Sequence, residues 1–211
     1  MTTTITYLFD PLCGWCYGAS PAIQQLGQDP SFTLVLAPTG LFSGGGRTMD
    51  AAFADYAWSN DVRIAKLTGQ RFSEDYRKNV LGRLGSPFDS ATATLALSAV
   101  ALTEPARELQ TLKALQEARY VQGLDTADVE VVAQLLRDLD LAAAAQLLLS
   151  GAPALQAANA ARLQAAQQRM RTHRAQGVPA LVVHRAGGDW LLQGQALYGR
   201  YEDLLTSLAP V

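Results

Sequence analysis

The two cysteines of the chain, Cys13 and Cys16, lie in a Cys-Gly-Trp-Cys motif between a predicted strand and a predicted helix. The apolar run from Ile5 to Phe9 is typical of a strand, and the stretch from Tyr17 to Leu26 is typical of a helix. Two intervening residues place both sulfur atoms in the first helical turn, where unpaired backbone N–H groups and the helix dipole favour a thiolate. This arrangement suits thiol–disulfide exchange, in which Cys13 attacks from the exposed end of the helix and Cys16, one turn deeper, resolves the mixed disulfide.

A zinc site and a structural disulfide are the alternative roles of such a cysteine pair. Structural zinc usually takes four Cys or His ligands, whereas this chain has no second cysteine pair and only two isolated histidines, His173 and His184. A disulfide that closes so short a loop adds little stability, and a chain of 211 residues buries enough surface to need none. We therefore expect no metal, and no cofactor beyond the redox-active Cys13–Cys16 disulfide.

Charge and hydropathy limit the partners of the chain. Because 17 Lys and Arg stand against 19 Asp and Glu, no nucleic-acid partner is expected. The N-terminus carries neither the basic nor the apolar segment of a secretory signal. The Ala- and Leu-rich stretch Leu139–Leu149 is too short to span a bilayer and is predicted to be a buried or amphipathic helix. With both cysteines in one motif, these features predict a cytoplasmic protein without a membrane partner.

The residue pattern that predicts secondary structure changes twice along the chain. A β-α-β pattern ends with a predicted strand at Phe32–Leu36, and an almost continuous helical pattern then runs from Thr48 to about Arg174. After Gly177 the pattern is again typical of strands, which are predicted at Ala180–Val183 and Trp190–Gln193, and a final helix is predicted at Tyr198–Leu208. We predict an α/β, thioredoxin-like fold, β-α-β … β-β-α, interrupted by a large all-helical insertion. The predicted domains are a discontinuous thioredoxin-like domain of residues 1–47 and 175–211 and a helical insertion domain of residues 48–174.

Several helix ends can be predicted within this insertion. Ser73-Glu74-Asp75 places two acids in a predicted first helical turn. Ser90 and Thr126 are candidate N-caps, since their hydroxyl oxygens can accept hydrogen bonds from the first turn of a helix. Five glycines are expected to mark breaks between helices, because glycine adopts the left-handed conformation that often ends a helix: Gly69, Gly82, Gly85, Gly123 and Gly151.

Two segments carry a resemblance to a known family: the motif with its preceding turn, residues 10–16, and Gly177-Val178-Pro179. Together with weaker support from residues 68–72 and 118–125, they resemble the DsbA-like thioredoxin superfamily, in particular its cytoplasmic FrnE-like branch, over essentially the full chain. The resemblance implies a thioredoxin fold with a helical insertion, a protein disulfide oxidoreductase or isomerase activity, and a cis peptide bond at Pro179. The inner Gly-Trp dipeptide departs from the family's frequent proline, so a strongly oxidising potential does not carry over. No further cysteines supply a second redox pair.

Three residues are candidates for binding substrate. Pro179 is expected to pack near the sulfur of Cys13, which would leave the backbone N–H and C=O of Val178 free to pair with an extended peptide. Trp15 either offers apolar contact to a substrate chain or packs on the helical insertion, and both alternatives stay open.

Two charged residues are candidates for tuning the pKa of the thiols. Asp10 either perturbs the thiols or opens a turn, and the Asp-Pro sequence favours the turn. Arg174 ends a basic run just before Gly177. A cation is favourable at a helix C-terminus in any case, and a role in holding the Cys13 thiolate is the functional alternative.

The leading functional hypothesis is disulfide exchange or isomerisation on protein substrates, with protein thiols, protein disulfides or small thiols as partners and glutathione as a potential co-substrate. Two alternatives stay open. One is a glutathione-dependent transferase or isomerase of the kappa or chromene-carboxylate type, although those enzymes typically place Ser where Cys13 stands. The other is a redox-sensing or chaperone-like binding module without catalytic activity.

Overall fold

The computed structural model describes residues 2–209 and contains a four-stranded sheet. The strands are β1 (Thr3–Phe9), β2 (Phe32–Pro38), β3 (Ala180–His184) and β4 (Trp190–Gln193). The α-helices are α1 (Gly14–Gln28), α2 (Ala51–Thr68), α3 (Glu74–Tyr76), α4 (Ala91–Thr103), α5 (Glu108–Tyr120), α6 (Val129–Asp138), α7 (Ala142–Ser150), α8 (Pro153–Thr172) and α9 (Tyr201–Leu208). A π-helical turn follows α3 at Arg77–Leu81, and 3-10 turns lie at Pro105–Arg107 and Gly194–Leu197.

Strand β1 lies in the middle of the sheet, whose order is β2-β1-β3-β4. Tyr7 of β1 pairs with Leu36 of β2 in a parallel ladder and with Leu181 of β3 in an antiparallel ladder. β3 and β4 form the predicted hairpin. The β-α-β and β-β-α units predicted at the two ends of the chain therefore join in one sheet, and the predicted fold class is confirmed.

Alternate residues of β1 enter two different cores, because side chains of a strand point to opposite faces. Ile5 and Tyr7 belong to the main core together with Leu26 of α1 and Leu204 of α9. Leu8 belongs to a smaller core on the other face, which includes residues of β3 and α8. Helix α8 also packs on the edge strand β2.

Helices α2 to α8 form one continuous insertion between β2 and β3. Its centre is α4, in which Ala96, Leu97 and Val100 are completely buried. Helices α2 and α5 pack on α1 and so bring the insertion to the helix that carries the motif. The division into two domains stays a prediction.

The predicted helix ends agree with the structure in part. Gly69 and Gly151 end their helices in the left-handed conformation, and the Ser73 hydroxyl accepts a hydrogen bond from the backbone N–H of Tyr76 at 3.0 Å. The expectation for Thr126 is wrong, because helix α6 is capped by the Asp128 carboxylate. Ser90 occupies the N-cap position of α4, but its hydroxyl accepts no hydrogen bond from the first turn of that helix.

The Ala- and Leu-rich stretch forms α7, one face of which is buried. Among the helices between residues 2 and 209, none is long and apolar enough to cross a membrane.

Candidate active site

Asp10 fixes the turn that leads from β1 to the motif. It is fully buried, and one carboxylate oxygen accepts a hydrogen bond from the Leu12 N–H at 2.9 Å. The other oxygen accepts from the Phe42 N–H at 3.1 Å and from the Ser90 hydroxyl at 2.8 Å. Burial raises the pKa of Asp10 against the opposing effect of these bonds. Asp10 thus joins the turn to the loop after β2 and to the start of α4, which is the turn role that the Asp-Pro sequence favours. Its charge also acts to raise the pKa of the Cys16 thiol, as the alternative role expects.

The two cysteines lie at different depths at the start of α1. Cys13 occupies the N-cap position and is 7% exposed, whereas Cys16 is fully buried. Burial, followed by the hydrogen bond and charge of Cys13, raises the pKa of the Cys16 thiol well above its ordinary value. Cys16 is consequently a neutral thiol in the reduced protein near neutral pH.

The loop before β3 brings Val178 and Pro179 to the motif. The Val178–Pro179 peptide bond is cis, in agreement with the family resemblance. The Cys13 Sγ lies 3.8 Å from the carbonyl oxygen of Val178, to which its S–H donates. The loop before β3 is therefore within reach of any group bound at the Cys13 sulfur.

Trp15 packs against Tyr198, with 5.3 Å between the ring centroids. Tyr198 follows β4, so this aromatic contact of Trp15 is made with the C-terminal part of the chain. Tyr17, in contrast, stacks on Tyr120 of α5 at 4.8 Å. Trp15 thus contacts the C-terminal part of the chain, and Tyr17 contacts the helical insertion.

Two cavities open beside the motif, and Trp15 lines both of them. The first, here called the aromatic cavity, has a volume of about 290 Å³ and contains Cys13 in its wall. Its other wall residues include Phe42, Phe53, Tyr76, Phe88 and Tyr120, with Arg47, Asn60 and Asp61 as polar members. The second, here called the proline groove, has a volume of about 580 Å³ and is lined by residues that include Arg63, Gln176, Val178, Pro179, Gly194 and Tyr198.

The structure does not bring Arg174 to the motif. Its side chain is exposed, and it lines neither the aromatic cavity nor the proline groove. The cations in the walls of the two cavities are instead Arg47 and Arg63. The predicted role of Arg174 in holding the Cys13 thiolate therefore has no geometric support.

Asp61 of α2 is a buried carboxyl group that sequence reasoning missed. It is 4% exposed, and its Oδ2 accepts a hydrogen bond from the Tyr76 hydroxyl at 3.0 Å. Burial raises the pKa of Asp61 to about 7, against the opposing effects of this hydrogen bond and of the Arg119 charge. Within the sequence, Asp61 follows Ser59 and Asn60 and resembles part of a solvated helix face, so no local signal identifies it.

The histidines lie away from the cysteines. His184 Nδ1 is 2.9 Å from the Asp189 carboxylate, and its Nε2 is 2.9 Å from the Thr6 hydroxyl. His173 Nε2 is 3.8 Å from the same carboxylate. Over the described part of the chain, no group of three or more His, Cys, Asp or Glu side chains is arranged to hold a metal ion.

Comparison with known proteins places this geometry in a family. The DSBA-like thioredoxin domain family matches residues 4–205. No match was found among curated proteins. The cytosolic disulfide reductase DsbM from Pseudomonas aeruginosa is 30% identical, with a TM-score of 0.86 and coverage of 97% of this chain and 98% of that chain. A structure of DsbM with GSH matches with a TM-score of 0.84, 29% identity and the same coverage.

Two further solved structures are similar over nearly the whole chain. A candidate protein disulfide isomerase from Nitrosomonas europaea is 25% identical, with a TM-score of 0.77 and coverage of 99% and 98% of the two chains. A 2-hydroxychromene-2-carboxylate isomerase is 16% identical, with a TM-score of 0.60 and coverage of 98% and 100%, which shows a shared fold only. The family match covers nearly all of the chain and includes both the motif and the Val178–Pro179 loop. The chain therefore belongs to the DSBA-like thioredoxin family of thiol–disulfide oxidoreductases.

Proposed function

We propose that this protein is a cytosolic disulfide reductase that uses glutathione as its source of electrons. The observation that carries the proposal is the position of Cys13, whose thiol lies in the wall of a cavity while Cys16 is enclosed directly behind it. The 30% identity to a cytosolic disulfide reductase supports the direction and the compartment, and the GSH in the second DsbM structure supports the co-substrate.

The proposed cycle begins with attack by Cys13 on a substrate disulfide. The Cys13 thiolate forms a bond to one substrate sulfur, the substrate S–S bond breaks, and the other substrate sulfur leaves and takes up a proton. Cys16 then loses its proton and attacks the Cys13 sulfur, so that the second substrate thiolate leaves and is protonated. Two glutathione molecules reduce the Cys13–Cys16 disulfide and become glutathione disulfide. Each turn transfers two electrons to the substrate.

The two cavities fit different parts of this cycle. The proline groove is the larger cavity and has Val178 and Pro179 in its wall, which suits an extended peptide bound by strand addition. The aromatic cavity is smaller, with apolar walls and Arg47 as a cation, and suits a small anionic thiol such as glutathione. Trp15 contacts both ligands from its place between the cavities.

A turnover assay tests the proposal. We expect the enzyme to catalyse the reduction of bis(hydroxyethyl) disulfide by glutathione at a rate proportional to enzyme concentration, with NADPH consumption by glutathione reductase as the readout. A reduction potential of the cysteine pair near about −270 mV would support a reductase, and one between about −120 and −200 mV would indicate an oxidant or an isomerase. Absence of turnover with glutathione would exclude it as the electron source.

Replacement of Gly194 by Ala is expected to lower this activity. A Cβ at Gly194 would lie 2.6 Å from the carbonyl oxygen of Pro179, so the Pro179 loop must move. A displacement of about 1 Å beside a reacting group can lower a rate by about a hundredfold. Gly187→Ala is the matched control, because a Cβ there has no neighbour within 4 Å. Equal turnover by the two variants would show that the position of Pro179 is not critical.

A further inference from the structure

The carboxyl group of Asp61 lies directly against the start of the motif helix. A Cβ placed on Gly14 would be 2.6 Å from Asp61 Oδ1, so the carboxylate occupies the space that any larger residue at this position would need. Gly14 follows Cys13, and both residues line the aromatic cavity together with Asp61. A buried acid from the helical insertion and the attacking sulfur therefore share one cavity.

The two oxygens of the Asp61 carboxyl group are in different situations. Oδ2 accepts the hydrogen bond of the Tyr76 hydroxyl at 3.0 Å. Oδ1 forms no hydrogen bond within residues 2–209, and it is not among the fully buried unpaired polar atoms of these residues. Oδ1 is thus available to a group that enters the aromatic cavity.

The groups that face Asp61 come from four parts of the structure. Cys13 belongs to the start of α1, Arg47 to the loop after β2, Tyr76 to α3, and Arg119 and Tyr120 to α5. The Arg119 guanidinium lies 5.7 Å from the centre of the Tyr76 ring, and this position lets its charge act on Asp61 without a direct ion pair. The Tyr120 hydroxyl is occupied, because it donates to the Leu12 carbonyl oxygen at 2.8 Å.

These surroundings leave both protonation states of Asp61 accessible at neutral pH. Burial raises its pKa to about 7, and the Tyr76 hydrogen bond and the Arg119 charge both act to lower it. An acid whose pKa lies near the working pH can both donate and accept a proton efficiently.

We infer that Asp61 exchanges a proton with the substrate sulfur on the side of Cys13 that faces the aromatic cavity. Asp61 gives the proton to a sulfur that leaves and takes it from a thiol that attacks. This inference rests on the proposed function. When the Cys13 thiolate attacks a disulfide, the Cys13–sulfur bond forms, the substrate S–S bond breaks with its electron pair on the leaving sulfur, and the Asp61 carboxyl gives its proton to that sulfur. In the reverse direction, the Asp61 carboxylate takes the proton of an incoming thiol, whose sulfur attacks the mixed disulfide and releases the Cys13 thiolate.

The dependence on the leaving group distinguishes proton transfer from a structural role. An alkyl thiolate, as released from bis(hydroxyethyl) disulfide, is a strong base and gains from protonation as it leaves. The aryl thiolate released from dithiobis(nitrobenzoate) is a weak base and leaves without a proton. Pre-reduced enzyme should be mixed with each disulfide in single-turnover experiments across a range of pH. Both rates are proportional to the fraction of Cys13 that is present as thiolate, so this fraction cancels in the ratio of the alkyl rate to the aryl rate.

Asp61→Asn is expected to slow the alkyl reaction about a hundredfold and to leave the aryl reaction within about twofold. In the wild type, the rate ratio should fall as the pH rises through the pKa of Asp61, because the acid loses its proton, and in Asp61→Asn this pH dependence should vanish. Asp55→Asn is the matched control, since Asp55 is an exposed acid of the same helix. Asp55→Asn should behave as the wild type does in both reactions.

Tyr76→Phe gives a second test that does not remove the acid. Loss of its hydrogen bond removes an effect that lowers the pKa of Asp61, so the fall in the rate ratio should move to higher pH by about one unit. An equal change of both rates in Asp61→Asn, or an unmoved profile in Tyr76→Phe, would overturn the inference while leaving the reductase function intact. If the wild type reduces neither disulfide, the proposed function fails and the inference fails with it.

Discussion

Replacement of Cys13 by Ser is expected to lower the rate of disulfide reduction by about a thousandfold or more. A serine hydroxyl at the N-cap of α1 cannot form the mixed disulfide through which the reaction proceeds, and loss of a covalent nucleophile commonly has effects of this size. The measurement is steady-state turnover of bis(hydroxyethyl) disulfide with glutathione. Substantial turnover in Cys13→Ser would contradict the assignment of the nucleophile.

Cys16→Ser should stop the cycle at a different point. Cys13 can still attack, but no second thiol lies behind it to release the bound substrate, so a mixed disulfide should accumulate on Cys13. Intact-protein mass spectrometry after incubation with glutathione disulfide should show one added glutathionyl group on Cys16→Ser and none on Cys13→Ser. The opposite pattern would mean that the roles of the two cysteines are reversed.

The two ends of the chain could be predicted because their signals are local. The apolar run before Cys13, the motif itself and the hairpin from Ala180 to Gln193 each have a period and a boundary that the sequence displays. The family resemblance then added the cis bond at Pro179. Helix ends were less certain: Ser90 has the right residue type for a cap, but the buried carboxylate of Asp10 accepts its hydroxyl hydrogen bond.

The part of the candidate site around Asp61 could not be predicted, because it is assembled from segments that are distant in the sequence. Asp61 and Tyr76 are separated by 15 positions, and Gly14 is further still from both. On a helix with charged and polar neighbours, Asp61 has the local pattern of a solvated residue. The packing of α2 on α1 places its carboxyl group beside the motif. Arg174 illustrates the opposite case, since proximity in sequence to Gly177 did not place it beside Cys13.

Arg162 connects the helical insertion to the sheet through a single guanidinium group. From α8 it donates to the Glu108 carboxylate of α5, to the Ser98 hydroxyl of α4 at 3.1 Å and to the Leu36 carbonyl oxygen of β2 at 3.4 Å. The side chains of Arg162 and Glu108 are 23% and 11% exposed. Removal of one partner of a buried ion pair leaves the other charge uncompensated and costs about 3–5 kcal/mol.

Arg162→Met is therefore expected to lower the free energy of unfolding by about 3 kcal/mol, at the lower end of that range because both side chains are partly exposed. For a chain of this size, the corresponding fall in Tm is roughly 6–12 °C. Thermal and urea unfolding measure the loss, with Arg171→Met as the control, since Arg171 is exposed on the same helix and its guanidinium donates hydrogen bonds to Gln168. A loss of stability equal to that of Arg171→Met would mean that Arg162 does not hold α8 to the sheet.

The loss caused by Arg162→Met should also depend on pH, with a sign that the surroundings of Glu108 determine. Burial raises the pKa of Glu108, and Arg162 opposes this rise, so removal of Arg162 raises the pKa further. A carboxyl group whose pKa is higher in the folded than in the unfolded state binds more protons when folded, and stability then falls as pH rises through the folded value. Arg162→Met should accordingly lose less stability relative to the wild type at acidic pH than at neutral pH. The added substitution Glu108→Gln should remove this pH dependence and recover part of the loss, because no uncompensated charge remains.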